Sequence, residues 1–359
     1  MTARCALIMA GGTGGHIFPG LAIAEGLRSR GWRVHWLGTT GSAGRPSMES
    51  QLVPPRGFAF ESIAFSGVRG KGLMTFARLP ARLSRAFLQS LSVLRRIRPD
   101  VVVGLGGYVA FPAGMMSRLV RAPLIVHEQN SVAGSANRLL AQVADRVFTA
   151  FPGVLKQAEW IGNPLRLPFL QQPLPRQRFD GRSGPLRLLV VGGSLGARVL
   201  NEVVPQALAL LAPDRLPLVT HQSGEAQIDT LRVNYERAGV SATLLPFIDD
   251  TASAFADADV VLCRAGASTV TELAAVGAAA VFVPFAAAVD DHQSANARFL
   301  VDSGGGWLLP ERDLTPQSLA ALLAGLDRAQ LLERATAAHA LAKPGATEAV
   351  IAACEELAA

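Results

Sequence analysis

Short runs of apolar residues alternate with longer amphipathic stretches along the whole chain. In the first half, the runs that predict buried strands are Cys5–Met9, Val34–Leu37, Val101–Val103, Leu124–Val126 and Val147–Thr149. In the second half, they are Leu186–Val191, Leu218–Thr220, Thr243–Leu245, Val260–Cys263 and Ala280–Val283. Continuous apolar runs are typical of parallel strands that helices cover on both faces. The alternation therefore predicts an α/β protein with two Rossmann-like, doubly wound domains that face a cleft.

A break in this pattern separates the two series of strands. The turn Gly162-Asn163-Pro164 ends the first series, and the segment Leu167–Pro185 that follows is rich in Pro, Gln and Arg. Such a segment is typical of an interdomain linker. We therefore predict three parts: an N-terminal domain (1–164), a C-terminal domain (165–343) and a C-terminal helix (344–359) that packs back on the N-terminal domain.

The composition agrees with a large folded core. Apolar residues make up 50% of the 359 residues and charged residues 17%, below the usual fraction of about 25%. These fractions argue against a disordered chain. Only three cysteines occur, at Cys5, Cys263 and Cys354. They are too few and too scattered for a disulfide framework or a zinc site.

Neither a membrane span nor a signal peptide is predicted. The longest nearly uncharged run, Leu273–Val289, is interrupted by Gly277 and Pro284 and is shorter than the roughly 20 residues of a spanning helix. The N-terminal apolar run, Cys5–Ala10, stops at a row of glycines, without the pattern of a signal peptide. We therefore expect a soluble protein of the cytoplasm.

A glycine-rich loop follows the first strand of each half. The first reads Gly11-Gly12-Thr13-Gly14-Gly15-His16, and the second reads Gly192-Gly193-Ser194-Leu195-Gly196-Ala197. At this place in a doubly wound domain, a helix N-terminus offers free backbone N–H groups to a phosphate. The alternative is that the glycines only allow close packing of strand and helix.

Two common phosphate-binding classes are disfavoured. Neither loop has the dinucleotide pattern, and the second strands end in Gly38-Thr39-Thr40 and His221-Gln222-Ser223, without the acid that binds a ribose. No lysine lies in a Walker A loop. A nucleotide sugar or a lipid pyrophosphate therefore fits better than NAD or hydrolysed ATP.

A third candidate loop follows the strand Val260–Cys263. Backbone N–H groups at Ala267–Thr269 can hold a phosphate, and the carboxylate of Glu272, one turn further, can accept two ribose hydroxyls. The alternative is that Thr269 and Glu272 form a capping box. Further polar residues, Asp290-Asp291-His292-Gln293, follow the next strand, at the edge of the sheet where ligands bind.

Together, these motifs closely resemble the MurG family of peptidoglycan N-acetylglucosaminyltransferases. The motifs occur in the family's order over nearly the whole chain: Gly11–His16, His127-Glu128-Gln129-Asn130, Gly162-Asn163-Pro164, Gly192–Ala197, Phe247-Ile248-Asp249-Asp250, Arg264–Glu272 and Asp291-His292-Gln293. The resemblance implies a GT-B fold and inverting transfer of GlcNAc in peptidoglycan synthesis. It also implies UDP-N-acetylglucosamine as donor on the C-terminal half and undecaprenyl-pyrophosphoryl-MurNAc-pentapeptide (lipid I) as acceptor on the N-terminal half, with lipid II and UDP as products.

The resemblance also implies roles for individual residues. The implied donor contacts are Ser194 for the pyrophosphate, the Ile248 backbone for uracil, Ala267, Ser268, Thr269, Val270 and Thr271 for phosphate and ribose, Glu272 for ribose, Gln293 for the sugar, and Arg166 and Asn130. Thr13, Gly14 and Gly15 are implied near the sugar and the acceptor pyrophosphate. One departure is the run Ala286-Ala287-Ala288, where some relatives have polar side chains.

An inverting transfer needs a base and a stabiliser of the leaving UDP. His16, at a loop–helix junction, and Glu128, at a strand end, are the two candidate catalytic bases, and the sequence does not separate them. For His16, the alternative is a role in phosphate binding or helix capping. Helix N-termini with Arg166 or Arg264 would stabilise the diphosphate. We expect no metal and no cofactor, and we interpret Asp257-Ala258-Asp259 as a solvated connection.

A basic segment predicts a membrane-binding surface. The net charge is +6, and between Glu61 and Asp100 all charged residues are basic: Arg69, Lys71, Arg78, Arg82, Arg85, Arg95, Arg96 and Arg98. Leu73, Met74 and Phe76 precede a predicted helix whose apolar stripe is its core face. An apolar tip beside arginines suits an anionic bilayer. No nucleic-acid motif appears, so we expect a peripheral protein on the cytoplasmic face of the bacterial inner membrane.

Two other functions remain open at this point. A UDP-N-acetylglucosamine 2-epimerase of the same fold would bind the same donor but would need no lipid-facing tip. A non-catalytic nucleotide-sugar binding protein would tolerate the loss of His16 and Glu128.

Overall fold

The structure, a computed structural model, describes residues 3–42, 45–65, 79–193, 196–285 and 291–359. The chain divides into two compact units. Unit 1 comprises Met1–Arg166 and Lys343–Ala359, and unit 2 comprises Leu167–Ala342. The Pro-rich segment that begins at Leu167 thus belongs to unit 2, and the C-terminal helix belongs to unit 1.

Unit 1 is built on a parallel sheet of seven strands in the order β5-β2-β1-β6-β7-β8-β9. Its strands are β1 (Cys5–Ala10), β2 (Arg33–Gly38), β5 (Ala59–Ser62), β6 (Val101–Gly106), β7 (Leu124–Glu128), β8 (Arg146–Thr149) and β9 (Glu159–Trp160). A small antiparallel pair, β3 (Gly41–Ser42) and β4 (Arg45–Pro46), stands apart from it.

Helices cover both faces of this sheet. They are α1 (Gly14–Ser29), α2 (Met48–Leu52), α3 (Leu79–Ile97), α4 (Ala110–Ser117), α5 (Ser135–Leu140) and, at the end of the chain, α15 (Ala346–Leu357). Strand β1 is buried along its whole length because alternate residues serve two cores. Ile8 packs with residues of α1 and α15, whereas Leu7 packs with residues of α3 and α4. This arrangement explains why the strand reads as a continuous apolar run.

Unit 2 repeats the architecture with a parallel sheet of six strands in the order β12-β11-β10-β13-β14-β15. Its strands are β10 (Arg187–Val191), β11 (Leu218–Gln222), β12 (Thr243–Leu245), β13 (Val260–Cys263), β14 (Ala280–Phe282) and β15 (Gly306–Leu308). Its helices are α6 (Leu167–Leu170), α7 (Pro175–Phe179), α8 (Arg198–Ala209), α9 (Ile228–Ala238), α10 (Thr251–Asp257), α11 (Ala267–Val276), α12 (His292–Val301), α13 (Pro316–Ala324) and α14 (Arg328–Ala340).

The prediction of two doubly wound, Rossmann-like sheets is confirmed, and all ten predicted strands are present. The sequence pattern missed the two-residue strands β3 and β4, and it missed β5, β9 and β15, which are short strands at the edges of the two large sheets. Edge strands are only partly buried, so their sequences lack the continuous apolar run of a central strand. Among the helices of the described part of the chain, none combines the length and the hydrophobicity of a transmembrane span.

Candidate active site

The strand order places a topological switch point in unit 1 between β1 and β6. From β1 the chain continues to β2 on one side, and from β6 it continues to β7 on the other. Loops after strands that diverge in this way leave a crevice where ligands bind. The two loops touch here, because a Cβ added at Gly107, after β6, would overlap the carbonyl oxygen of Gly11, after β1. Gly107 also has a positive φ of 81°, which favours glycine.

The buried carboxylate of Glu49 holds the first glycine loop in place. Glu49, on α2, accepts hydrogen bonds from the backbone N–H of Gly12 at 3.2 Å and from the N–H and hydroxyl of Thr39 at 3.1 and 2.9 Å. Thr13 is the N-cap of α1, so the N–H groups of Gly14 and Gly15 lie in its first turn. Such groups have no partner within the helix. Thr13, Gly14 and Gly15 thus lie where an anion can bind, whereas the Gly12 N–H is engaged by Glu49.

His16 follows directly in the first turn of α1 and is half-buried. Its ring Nδ1 lies 2.7 Å from Oε1 of Gln129, which follows β7. A Cβ at Gly106 would lie 2.8 Å from Cε1 of the His16 ring, so the glycine at the end of β6 makes room for this ring. The structure thus brings the first glycine loop and the end of β7 together around His16.

The end of β7 carries a buried polar cluster around His127. The ring of His127 is fully buried, and its Nε2 lies 2.9 Å from the carbonyl oxygen of Gly162. The side-chain amide of Gln129 donates to Nδ1 of His127 and to its backbone carbonyl, both at 2.9 Å. Burial lowers the pKa of His127 to about 4, because removal from water disfavours the charged ring. This histidine therefore remains neutral at pH 7.

Glu128, the other candidate base, is buried and surrounded by donors. Its Oε1 accepts hydrogen bonds from the backbone N–H and the side-chain amide of Asn130, at 2.9 and 3.3 Å. Its Oε2 accepts from the N–H of Gly134 at 3.1 Å and from the side-chain amide of Asn137 at 2.9 Å. These four bonds fold the loop after β7 around the carboxylate. They also engage the amide of Asn130, one of the predicted donor contacts.

Arg166, the last residue of this part of unit 1, lies against α1. Its guanidinium carbon is 4.9 Å from the centre of the Phe18 ring, a cation–π contact. An added Cβ at Gly14 would lie 3.0 Å from the same ring. Phe18 thus connects Arg166 to the helix that begins at the first glycine loop.

Unit 2 has its own switch point, between β10 and β13. From β10 the chain continues to β11 on one side, and from β13 it continues to β14 on the other. The second glycine loop follows β10, and the loop Arg264–Gly266 follows β13. Two of the loop glycines, Gly193 and Gly196, have positive φ angles of 85° and 74°. Ser194 of this loop and the run Ala286–Asp290 lie outside the described residues.

Helix α11 begins at this switch point with a glycine cap. Its N-cap residue is Gly266, and the first bond within the helix is donated by the N–H of Val270 to the Gly266 carbonyl. The N–H groups of Ala267, Ser268 and Thr269 therefore form the open first turn. The alternative of a capping box at Thr269 is wrong, since Thr269 lies inside the helix. This first turn is an anion-binding geometry.

The remaining residues of the predicted donor strip differ in what they offer a ligand. The side chain of Val270 is fully buried, and the hydroxyl of Thr271 donates back to the carbonyls of Ala267 and Ser268 at 3.0 Å. Both residues therefore support the helix with their side chains. Glu272, one turn into α11, is 9% exposed.

Two further predicted contacts follow strands that lie on either side of β13, the strand that leads into α11. Ile248 is half-buried and follows β12. Gln293, in the first turn of α12, accepts a hydrogen bond from the backbone N–H of Phe285 at 2.9 Å. Arg264 forms an ion pair with Glu311, with 2.6 Å between Nη1 and Oε2. A carboxylate of unit 2 therefore holds the Arg264 guanidinium.

A second buried network supports the glycine loop of unit 2. His221, on β11, is fully buried, with Nε2 3.0 Å from Oδ1 of Asn201 and Nδ1 3.0 Å from the hydroxyl of Tyr235. Burial lowers the pKa of His221 to about 3. The neighbouring Gln222 donates to the carbonyls of Gly193 and Pro246, both at 3.1 Å. Gln222 thus ties the glycine loop to the segment that carries Ile248.

The interpretation of Asp257-Ala258-Asp259 as a solvated connection is wrong for Asp259. Its side chain is fully buried and pairs with Arg182 at 2.7 Å and with Arg328 at 3.3 Å. It also accepts a hydrogen bond from the backbone N–H of Arg187 at 2.9 Å. The segment precedes β13, as predicted. The contacts of Asp259 anchor the amino end of the sheet. Among the described residues, no cluster of three or more metal-ligating side chains occurs.

No role is assigned from the sequence to several residues that build the site. They are Glu49, Gly106, Gly107, His127, Gln129, Asn201 and His221, which hold the loops and His16 in place. The available signal was the run of polar residues that ends an otherwise apolar strand, at His127-Glu128-Gln129 and at His221-Gln222. For Glu49, which lies far from the loop in sequence, no such signal exists.

Known proteins resemble this chain over its whole length. The N-terminal domain of glycosyltransferase family 28 matches residues 6–149, and the C-terminal domain of that family matches residues 187–350. A UDP-N-acetylglucosamine–N-acetylmuramyl-(pentapeptide) pyrophosphoryl-undecaprenol N-acetylglucosamine transferase of Polaromonas sp. (strain JS666 / ATCC BAA-500) is 70% identical over 356 residues, 99% of this chain and 92% of the relative. A protein of the same name from Paracidovorax citrulli (strain AAC00-1) is 68% identical over 356 residues, 99% of each chain.

Solved structures agree with these relatives. The crystal structure of Acinetobacter baumannii MurG superimposes with a TM-score of 0.85 at 38% identity, covering 98% of this chain and 99% of that one. A glycosyltransferase of kitacinnamycin, at 19% identity and a TM-score of 0.72, shares the fold alone. The GT-B fold and the resemblance to the MurG family are thereby confirmed. Since the two domain matches together cover most of the chain, this protein belongs to glycosyltransferase family 28.

Proposed function

We propose that this enzyme transfers GlcNAc from UDP-N-acetylglucosamine to the C4 hydroxyl of the MurNAc sugar of lipid I, giving lipid II and UDP in peptidoglycan synthesis. The observation that carries the proposal is that the N-termini of α8 and α11 lie at the switch point of unit 2, in a chain 70% identical over its length to an N-acetylglucosamine transferase. Such N-termini suit the diphosphate of a nucleotide sugar.

The donor is proposed to bind unit 2. Its diphosphate would lie on the first-turn N–H groups of Ala267, Ser268 and Thr269 and on the second glycine loop with Ser194. Glu272 would accept the ribose hydroxyls, the backbone at Ile248 would bind uracil, and Gln293 would bind the sugar. Val270 and Thr271 would support this strip from within the helix. Arg166 and Asn130 remain proposed donor contacts.

The acceptor is proposed to bind unit 1, with its pyrophosphate near Thr13, Gly14 and Gly15. His16 is proposed as the catalytic base. Glu128 is a weaker candidate, because four donors already surround its carboxylate. We assign Glu128 the role of folding the loop after β7, including Asn130 and Asn137.

The proposed chemistry is a single displacement. His16 takes the proton of the acceptor hydroxyl as the hydroxyl oxygen attacks the anomeric carbon of GlcNAc. The bond from that carbon to the UDP oxygen breaks on the opposite face, so the configuration inverts. The electron pair leaves on the diphosphate, which the positive end of α11 stabilises. This scheme assigns the leaving-group charge to backbone dipoles and requires no metal or other cofactor.

UDP release, measured with and without a lipid I analogue, tests this function. The proposal expects release that depends on the acceptor, together with a disaccharide-lipid product. Release without acceptor, accompanied by an epimerised sugar, would identify a 2-epimerase instead. Tight UDP binding without turnover would identify a binding protein, and either of these results would overturn the proposal.

We also propose that the enzyme binds the anionic inner leaflet peripherally, on the cytoplasmic side, and does not bind nucleic acid. Helix α3 presents Arg85 and the 69% exposed Leu88 to solvent. The apolar tip at Leu73, Met74 and Phe76 lies outside the described residues. Each basic residue near such a surface contributes about 1 kcal/mol.

Changing Arg78, Arg82 and Arg85 together to glutamate tests the membrane proposal. We expect sedimentation with anionic liposomes to fall sharply and UDP affinity to stay unchanged, because these residues lie in unit 1. Unchanged liposome binding would refute it. Arg215, Arg232 and Arg237 of unit 2, changed together to glutamate, form the control of equal charge.

A further inference from the structure

A continuous chain of hydrogen bonds connects the backbone of Gly162 to the ring of His16. It runs from the Gly162 carbonyl to Nε2 of His127 at 2.9 Å and from Nδ1 of His127 to the Gln129 amide nitrogen at 2.9 Å. It then runs from Oε1 of Gln129 to Nδ1 of His16 at 2.7 Å. The three side chains come from the end of β7 and the start of α1.

The first link fixes the tautomer of His127. A carbonyl oxygen can only accept a hydrogen bond, so Nε2 of His127 carries the proton. His127 is neutral at pH 7, since burial lowers its pKa to about 4. In a neutral ring only one nitrogen is protonated, so Nδ1 of His127 carries a lone pair and must accept.

The second link fixes the orientation of the Gln129 amide. The atom that faces the lone pair of His127 Nδ1 must be a donor, which is the NH2 group. The same NH2 group donates its other proton to the His127 carbonyl at 2.9 Å. Two acceptors thus hold the NH2 group independently, and the oxygen of Gln129 faces His16.

The third link fixes His16 itself. An amide oxygen accepts, so Nδ1 of His16 must carry a proton. We propose that Gln129 and His127 are positioning residues that select the Nδ1–H tautomer of His16, leaving the lone pair of Nε2 to take the acceptor's proton. The proposal rests on the proposed function, in which His16 is the base.

The proton balance of this step is complete. The hydroxyl proton of the acceptor moves to Nε2 of His16, and the resulting imidazolium keeps its Nδ1 proton on Oε1 of Gln129. A neutral amide cannot take that proton, so the charge stays on His16 until product leaves. The titratable groups at the end of β7 are His127, which is held neutral, and Glu128, whose carboxylate binds Asn130, Gly134 and Asn137.

The neighbours of the relay leave room for the ring of His16 and hold the end of β7. Gly106, with a positive φ of 111°, leaves space on one side of the ring. A Cβ added at this position would lie 3.0 Å from Nδ1 of His16. Asn137 donates to the His127 carbonyl at 3.3 Å and to Glu128. Replacement of the amide of Gln129 would therefore free the tautomer without removing the ring.

The direct test is nitrogen NMR of the histidine side chains in the full-length enzyme at neutral pH. Long-range nitrogen–proton correlations distinguish Nδ1–H from Nε2–H rings. We expect Nδ1–H for His16 and Nε2–H for His127 in the unmodified protein. In Gln129→Leu, His16 should shift to a mixture dominated by Nε2–H. An Nε2–H ring at His16 in the unmodified protein would overturn the proposal, whatever the variants do.

Kinetics provide the second readout. For Gln129→Leu we expect kcat to fall by about 10- to 100-fold, the loss that is typical when the hydrogen-bond partner of a metal-binding histidine is removed, with the KM for UDP-N-acetylglucosamine unchanged. Gln129→Glu restores an acceptor for Nδ1 of His16 but lacks the NH2 group that donates to His127, so we expect it to recover only part of kcat. Gln142→Leu, at an exposed position of unit 1, is the matched control and should behave as the unmodified enzyme.

Failure of the relay and failure of the proposed function give different results. If His16→Ala keeps acceptor-dependent turnover, the base assignment is wrong, and with it the catalytic part of this proposal. If His16→Ala is inactive but Gln129→Leu keeps its kcat and the Nδ1–H signal, the relay is wrong and the base assignment stands.

Discussion

At the scale of single residues, the buried carboxylates of Glu128, at the end of β7, and Glu272, one turn into α11, have different proposed roles. Glu128 is enclosed by four donors of its own loop. Glu272 lies one turn inside α11, beyond the open N–H groups of Ala267–Thr269. If the diphosphate of the donor binds these N–H groups, a carboxylate one turn further along α11 is well placed to bind the ribose of the same donor. We propose loop folding for Glu128 and, from its place next to the open first turn of α11, ribose binding for Glu272.

Glu272→Gln tests the ribose contact. A hydrogen bond to a charged group contributes about 1.5–3 kcal/mol, so we expect UDP affinity to fall by about 10- to 100-fold in calorimetric titrations. The unmodified enzyme should discriminate against 2′-deoxy-UDP, and the variant should not. Glu333→Gln, at an exposed position of α14, is the control. An equal loss of affinity for both nucleotides would contradict the assignment.

At the scale of elements, the N-terminus of α11 joins helix stability to donor binding. Its N-cap is Gly266, which supplies no side-chain acceptor, so the first-turn N–H groups stay open for a ligand. Glycine leaves the helix dipole unscreened at this end. An anion here, either a side chain or a diphosphate, should stabilise the helix.

Ser268→Asp separates these two consequences. The added charge near the helix N-terminus should stabilise unit 2 by about 0.3–1 kcal/mol, while it repels the diphosphate of the donor. We therefore expect a higher unfolding midpoint and weaker UDP binding in the same variant, measured by thermal unfolding and by calorimetry. Ser268→Asn is the neutral control. Unchanged UDP affinity in Ser268→Asp would place the diphosphate elsewhere.

At the scale of the whole molecule, each unit carries one fully buried neutral histidine beneath its glycine loop. His127 supports unit 1 and His221 supports unit 2. Burial lowers the pKa of His127 to about 4 and that of His221 to about 3, below the value of about 6.5 in an unfolded chain. Between these values the unfolded state binds the proton and the folded state does not.

Acid should therefore destabilise both units. We expect the free energy of unfolding to fall as pH drops below about 6.5, with a limiting loss on the order of 3 kcal/mol for His127. Denaturant unfolding between pH 7.5 and 5 measures this slope. His221→Gln should flatten the slope for unit 2 and leave that of unit 1 unchanged. A slope that the substitution does not alter would contradict the linkage.

The sequence predicted the parts of the fold and site that depend on local pattern. Strands such as β1 and β13 were found because both faces are buried, and the start of α11 was found because small residues follow a strand. The relay through Gln129 was not found, because it joins residues 113 positions apart. The hydrogen bond from the backbone N–H of Gly12 to Glu49 joins residues 37 positions apart. Such contacts depend on strand order, which no local pattern reports.

The structure of the reaction product tests the proposed glycosyl transfer. Nuclear magnetic resonance of the lipid-linked disaccharide, made from UDP-N-acetylglucosamine and a lipid I analogue, gives both the position and the configuration of the new bond. We expect GlcNAc in β linkage to the C4 oxygen of MurNAc, since one displacement inverts the α-linked donor. An α linkage would contradict a single displacement with His16 as the base, and an epimerised free sugar would contradict the transfer itself.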